Sequence, residues 1–226
     1  MAKKIPAPKA IEKTTSDLAR LLKEKDFNSE EELNEFLKEI VNKGKIPEVP
    51  SKSALNLAQD IMYDAWETDD TKKRIKLAYK ALSISPDCAD AYVLLAEDEA
   101  KTVEKAKDLY QKGVEAGKRA LGGKTFKEDA GYFWGMIETR PYMRARAGLL
   151  ECLWEMEKHD EAITHCREML QLNPNDNQGI RYILASYLAT LGRFDDLEKL
   201  LNKGEYKDDC GIEWLYTKPL LSFVKN

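Results

Sequence analysis

The sequence predicts an all-α fold: about four stacked helix pairs in an α-α superhelix, a helical extension before them and a capping helix after them. Three observations carry that prediction. Apolar residues recur at intervals of three and four along most of the chain, the spacing that lines one face of a helix. Glycine and proline, 12 and 8 of 226 residues, are too few for a loop-rich or all-β protein. Alternating apolar and polar runs bounded by hairpin turns are missing.

Residues 1–10, with Pro6 and Pro8, read as a flexible arm. The stretch from Thr14 to Lys25 carries Leu18, Leu21 and Leu22 at helical spacing. Ser29 followed by Glu32 forms a capping-box start, and Leu33, Phe36, Leu37 and Ile40 share a face of the helix it opens. Gly44, Pro47 and Pro50 end that helix and predict a linker over 43–52. Residues 1–52 therefore form one region, an arm with two helices and a linker, and 53–226 form a helical repeat domain.

Within the second region the signal is self-similarity. Leu-Asn-Pro-Asn at 172–175 aligns with Ile-Ser-Pro-Asp at 84–87, each closing one helical segment and preceding another. In the unit at 143–176, Leu149, Leu153, Ala162 and Pro174 stand at offsets that resemble the tetratricopeptide repeat, a helix–turn–helix unit of 34 residues. The small Ala162 lets two helices approach, and Pro174 forces the turn. A unit at about 88–119 places Tyr92, Leu95, Ala96, Ala106, Tyr110 and Gly113 at equivalent positions. The first unit, about 55–87, keeps Ile61, Ala78, Ala81 and Pro86, and the last covers about 178–205. Trp214, Leu215, Leu220 and Leu221 then read as a closing helix over the final apolar face. One segment breaks the period: Gly122 and Gly123 open an insertion over 122–142 that holds Tyr132, Phe133, Trp134, Arg140 and Tyr142.

The run from Ala91 to Ala100, with Ala106-Lys107-Asp108-Leu109-Tyr110 behind it, resembles the suppressor of tumorigenicity 7 protein family. So do Arg144-Ala145-Arg146, Leu153, the His159-Asp160-Glu161-Ala162 turn and Glu198-Lys199-Leu200-Leu201, extending the likeness over 75–221. Bacterial tetratricopeptide proteins of unassigned function are also similar, notably over Glu138–Arg146. The resemblance implies an interaction role without established catalysis. It also implies membrane association, which the absence of long apolar spans does not support here.

Charge and motifs exclude several functions. Forty acidic against 36 basic residues leave a net charge of −4, which offers no bulk basic footprint for nucleic acid. No eighteen-residue apolar run suits a membrane span, and the N-terminus has no secretory pattern. Cys88, Cys152, Cys166 and Cys210 form no CxxC pair, so reduced structural thiols in a cytoplasm are the expectation. His159, expected in a turn, and His165 are six residues apart and point to different helix faces, so no metal site is expected. Gly122-Gly123-Lys124 lacks the rest of a phosphate loop, and neither GxSxG nor HExxH occurs. No cofactor and no catalytic set is expected.

What remains is a binding surface. In stacked helix pairs the first helix of each unit lines the concave side. The resemblance to the repeat assigns Tyr63 and Trp66, then Glu97, then Arg144, Glu151 and Trp154, then Tyr182, to that groove. The lysine–asparagine clamp by which some repeat proteins hold a C-terminal carboxylate is missing. An acidic groove with aromatics suits a protein or extended peptide with basic and apolar side chains. Trp66 and Trp154 equally suit packing between units. Arg140, Arg144 and Arg146 either receive a carboxylate or phosphate or pair with Glu138, Glu151 or the acidic 97–99 run. The leading expectation is a non-catalytic interaction scaffold. The alternatives are an adaptor or self-associating module built on the aromatic insertion, and a small-molecule enzyme or sensor around Arg140 and Arg144.

Overall fold

A computed structural model of the chain describes residues 8–44, 46 and 53–225. Eleven α-helices run through the described residues, and no strand occurs among them. They are α1 (Pro8–Glu24), α2 (Glu30–Lys43), α3 (Ala54–Trp66), α4 (Thr71–Ile84), α5 (Ala89–Asp98) and α6 (Val103–Glu128), followed by α7 (Arg140–Glu155), α8 (His159–Leu172), α9 (Ile180–Thr190), α10 (Phe194–Leu201) and α11 (Ile212–Lys225). A 3-10 turn, Ile137–Thr139, leads into α7. The four expected units coincide with the pairs α3/α4, α5/α6, α7/α8 and α9/α10.

Helix starts follow the local chemistry of orphan N–H groups. Ser29 Oγ accepts from the Glu32 N–H at 3.2 Å, and the Glu32 carboxylate accepts the Asn28 N–H at 2.9 Å. Asp70 and Thr102 cap α4 and α6 in the same way. Gly44 ends α2 in the left-handed region at φ 65°.

The helices of each pair pack on one another, and neighbouring pairs join through α4 on α5, α5 and α6 on α7, and α8 on α9. One core lies among α3, α4 and the start of α5 and is rich in alanine: Ala58, Ala65, Ala78, Ala81 and Ala91. A second, larger core runs from α5 and α6 to α11. Small residues set the approach of α6 to α7. A Cβ on Gly117 would lie 2.8 Å from the Tyr142 Cβ, and one on Gly113 would lie 3.0 Å from the Ala145 Cβ. Trp214 (0% exposed) and Leu221 seat α11 on this core, whereas Leu215 and Leu220, expected on the same closing face, are 58% and 54% exposed because they lie on the outer side of the helix.

Several boundaries differ from expectation. The arm predicted over 1–10 lies outside the described residues up to position 7, and α1 already begins at Pro8, a residue suited to a helix's first turn. The linker predicted over 43–52 lies outside them except at 43, 44 and 46. His159 opens α8 rather than sitting in a turn. The segment expected as one insertion over 122–142 is divided. Gly122 breaks α6 (φ 70°, ψ 162°), the helix resumes to Glu128, and α7 starts at Arg140.

The stretch between α6 and α7 is folded onto the array. The Gly131 and Phe133 N–H groups donate to the Leu172 carbonyl at 3.0 and 3.1 Å, and Thr139 Oγ1 donates to the carbonyls of Phe133 and Met136. The rings of Phe126, Phe133 and Tyr142 meet with centroids 5.1–6.1 Å apart. Phe133 (0%) and Tyr142 (1%) are core residues and add nothing to the insertion's surface. Cys88, Cys152 and Cys166 are buried free thiols, as structural thiols are, whereas Cys210 is exposed. Among the described residues no helix is long and apolar enough to cross a membrane.

Candidate functional site on the face of the first helices

The first helices of the pairs present two adjoining surfaces, one covered by α1 and one open. α1 lies on α3 and on the 3-10 turn. Its residues reach the array through ion pairs: Lys13 Nζ to Asp64 at 2.9 Å, Arg20 to Asp60 at 2.7 and 3.0 Å, and Lys23 Nζ to Glu138 at 2.9 Å. Its apolar side chains Leu18, Leu21 and Leu22 are only half-buried. The single buried residue among positions 11–24 is a carboxylate, Glu12, at 5% exposure.

Glu12 is buried because the array supplies donors for it. Arg144, in the second turn of α7, donates from Nη1 and Nη2 to the two Glu12 oxygens at 3.0 Å each. Its Nε and Nη2 donate to Asp90 at 2.8 and 2.5 Å, so one guanidinium bridges two carboxylates. Asp90, in the first turn of α5, is 0% exposed and also accepts from Gln59 Nε2 at 2.8 Å. The Tyr63 hydroxyl and Arg140 Nη1 each approach Glu12 at 3.4 Å. Arg140 Nε donates to the Trp134 carbonyl at 2.9 Å, and Arg144 lies 5.4 Å from the Trp66 ring centroid. Burial disfavours the Arg144 charge, but Asp90 and Glu12 outweigh it and hold its pKa above the ordinary value. Burial, then Glu12 and Asp90, push the Tyr63 phenol up.

Seven residues along α7, about two turns and on the same face, the surface changes sign. Glu97 of α5 and Glu151 of α7 both act on the Tyr110 phenol, which burial and these carboxylates raise. Partial desolvation also lifts the Glu151 carboxyl. The Trp154 ring stacks flat on Tyr187 of α9, with centroids 3.6 Å apart and planes 2° apart, and its other neighbour is His159 at 4.3 Å. Tyr110 packs on Gly148, where a Cβ would come within 2.2 Å of the phenol ring. A glycine there lets an aromatic from α6 lie between the basic and acidic halves of the α7 face.

The remaining predicted residues are placed as follows. Tyr63 is 2% exposed and lies under α1 rather than in an open groove. Trp66 is half-buried against the first core. Tyr182 is tied to the C-terminal segment: its hydroxyl donates to Asp209 at 2.9 Å, and its ring meets Trp214 edge-on at 5.4 Å. Tyr132 is 72% exposed, while Trp134 carries Arg140 over its ring. Arg146 belongs to a different site, where it donates to the Tyr142 hydroxyl at 2.8 Å and to His165 Nδ1 at 3.0 Å and pairs with Glu168. A surface pocket of about 550 Å³ adjoins it, lined by Lys118, Phe126, Tyr142, Arg146 and Gln171 among others. Burial, then Arg146 and Lys118, push the His165 pKa down to about 4.

Glu12, Asp90, Gln59, Tyr110 and Tyr187 were missed by sequence reasoning. Asp90 gave a signal, a lone acid inside the otherwise apolar run Cys88–Ala96. Glu12 gave none, because its partner Arg144 is 132 positions away.

Residues 50–176, more than half of the 226-residue chain, match the family described as ST7 protein. Curated relatives include the suppressor of tumorigenicity 7 protein-like of Gallus gallus, 44% identical over 64 residues that make up 28% of this chain and 12% of the relative. The Homo sapiens protein of the same description is 44% identical over 63 residues, 28% of this chain and 11% of the relative. The protein ST7 homolog of Caenorhabditis elegans is 38% identical over 73 residues, 32% and 14% of the two chains. The matches thus span about an eighth of the length of these relatives.

Proposed function

The chain belongs to the ST7 protein family, and from that premise we propose that it is a non-catalytic protein-interaction scaffold of tetratricopeptide type. Four successive helix pairs with small residues at their close approaches, Ala162 (0% exposed) and Gly113 among them, support the repeat reading. The docking surface is the open half of the first-helix face, and it takes a protein segment with basic and apolar side chains.

One observation carries this reading: the exposed carboxylates Glu97 and Glu151 belong to the same face of successive first helices, α5 and α7, as the half-buried Trp154, which stacks on Tyr187 of α9, and both carboxylates act on the Tyr110 phenol. Carboxylates select lysine or arginine, and the half-buried, stacked rings beside them have little rotamer freedom left to lose. The pairs are preformed, so ordering of the ligand sets most of the cost of binding.

The alternatives have less to stand on. Phe133 and Tyr142 are turned inward, which leaves the segment before α7 little apolar surface for docking beyond Tyr132. Arg140 and Arg144 are engaged by carboxylates of the chain itself, which works against a small-molecule site there.

A displayed random-peptide selection on the full chain tests the proposal. Enrichment of Lys or Arg beside Leu, Met or aromatic residues is expected, with binding lost in the double variant Glu97→Lys, Glu151→Lys. No enrichment, or selected peptides that bind the double variant equally well, would overturn it.

A further inference from the structure

The outer side of α11 carries an inference of its own, independent of what the first-helix face binds. α11 seats Trp214 (0% exposed) and Leu221 (7%) on the larger core. Seven residues apart, these two positions lie within about 20° of each other around the helix. The opposite side is made by Ile212, Tyr216, Pro219 and Phe223, with Leu215, Leu220 and Val224 flanking them. Apart from Pro219, these are large apolar side chains left 45–82% exposed, Tyr216 at 74% and Phe223 at 82% being the most open. Among the described residues they are six of the twelve exposed large apolar side chains, gathered on one helix of 14 residues. A helix that is apolar on both sides is a buried helix.

Three observations make a second copy of this chain the fitting cover. The first is area. Scaled on the 150–250 Å² of a large buried side chain, the exposed part of the face amounts to roughly 600 Å². That is the upper end of the largest apolar patch a monomer leaves open. Two such faces together bury about 1,200 Å², where specific protein pairing begins. The second is spacing. Positions 212, 216, 219 and 223 repeat at intervals of four and three, the seam along which one helix packs on another with the same repeat. A two-fold pairing uses one patch on both copies, so the patch must suit itself. In an antiparallel pair Ile212 of one copy meets Phe223 of the other and Tyr216 meets Pro219. No charge falls in that seam, and the two Glu213 side chains stand at opposite ends. The third is charge. Glu213 and Ser222 border the face, where a helix lying on anionic lipid carries lysine and arginine. Lys218 is on the inward side, its Nζ donating to the Lys207 carbonyl at 2.6 Å. We propose that the outer side of α11 is the interface of a two-fold, antiparallel dimer of this chain, centred on Ile212, Tyr216, Pro219 and Phe223.

Sedimentation velocity of the full chain over a hundredfold concentration range tests it. The wild type is expected to pass from the mass of one chain to that of two. The double variant Tyr216→Glu, Phe223→Glu places charges in the seam and is expected to weaken association at least tenfold. Both side chains point outward, so circular dichroism is expected to show unchanged helix content. Phe223→Glu alone decides if the double variant is not folded. Leu57→Glu, at an exposed apolar position of α3, is expected to pair as the wild type does. A wild type that keeps the mass of one chain throughout would overturn the proposal, as would a dimer that persists undiminished in the folded seam variants or is lost equally in Leu57→Glu. Flotation of a monomeric wild type with phosphatidylcholine–phosphatidylserine vesicles, lost in the seam variants, would assign the face to lipid and overturn it too.

Discussion

Replacing Arg144 with leucine tests how α1 and α5 are held to α7. Arg144 donates four hydrogen bonds to two carboxylates, at 2.5–3.0 Å, and its side chain is 13% exposed. Leucine fills part of the volume and contributes apolar contacts but removes two charged donors from Asp90, which is 0% exposed. Breaking a buried pair by removing one partner costs about 3–5 kcal/mol, because the other charge stays buried and uncompensated. That is a large part of the roughly 5–15 kcal/mol that stabilises a domain. Urea unfolding followed by far-UV circular dichroism measures the loss. The double variant Arg144→Leu, Asp90→Asn removes the stranded charge and is expected to recover at least about 2 kcal/mol of the single-variant loss. A loss below about 1 kcal/mol for Arg144→Leu, or no coupling between the two sites, would refute the reasoning.

Three further predictions concern other parts of the fold. Gly148→Ala puts a Cβ within 2.2 Å of the Tyr110 ring, and overpacking outweighs the gain in helix propensity, for a net loss of about 1–2 kcal/mol. Gly123→Ala, with nothing within 4 Å, is expected to be neutral or mildly stabilising, and calorimetry of both variants checks the contrast. His165 has a folded pKa of about 4 against an ordinary value near 6.5, so the unfolded chain binds the extra proton between those values and stability falls as pH drops from about 6.5 to about 4. Because the imidazole is only partly buried, the contribution is about 1–2 kcal/mol at most. His165→Asn is expected to show a correspondingly shallower acid loss by urea unfolding at several pH values, and an unchanged slope would contradict it. A thiol reagent is expected to label the exposed Cys210 at once and Cys88, Cys152 and Cys166 only on unfolding. Burial pushes Cys88 and Cys166 up to about 12, so rapid native labelling of more than one thiol would contradict the core described.

The helix pairs were legible because their signals are local. Apolar spacing, Pro86, Pro174 and the small residues at 113 and 162 each act within one or two turns of where they stand. The C-terminal cap was legible in part: Trp214 and Leu221 lie on the buried face of a short helix, but Leu215 and Leu220, read with them, lie outside. Phe133 and Tyr142 were misread as surface because they break the repeat, whereas Gly117 and Phe126 make room for them inside. Most of the candidate site was hidden. Arg144 was singled out by its type, but its meaning rests on Glu12 and Asp90, 132 and 54 positions away. Pairing at such separation is decided by how α1 returns to the array, which no local pattern encodes.

The most direct test of the central claim is a hydrogen-exchange footprint of a selected peptide on the full chain. The account predicts added protection in α5, α7 and α9, the helices that carry Glu97, Glu151, Trp154 and Tyr187. Protection confined to the second helices α4, α6 and α8, or none at saturating peptide, would contradict it.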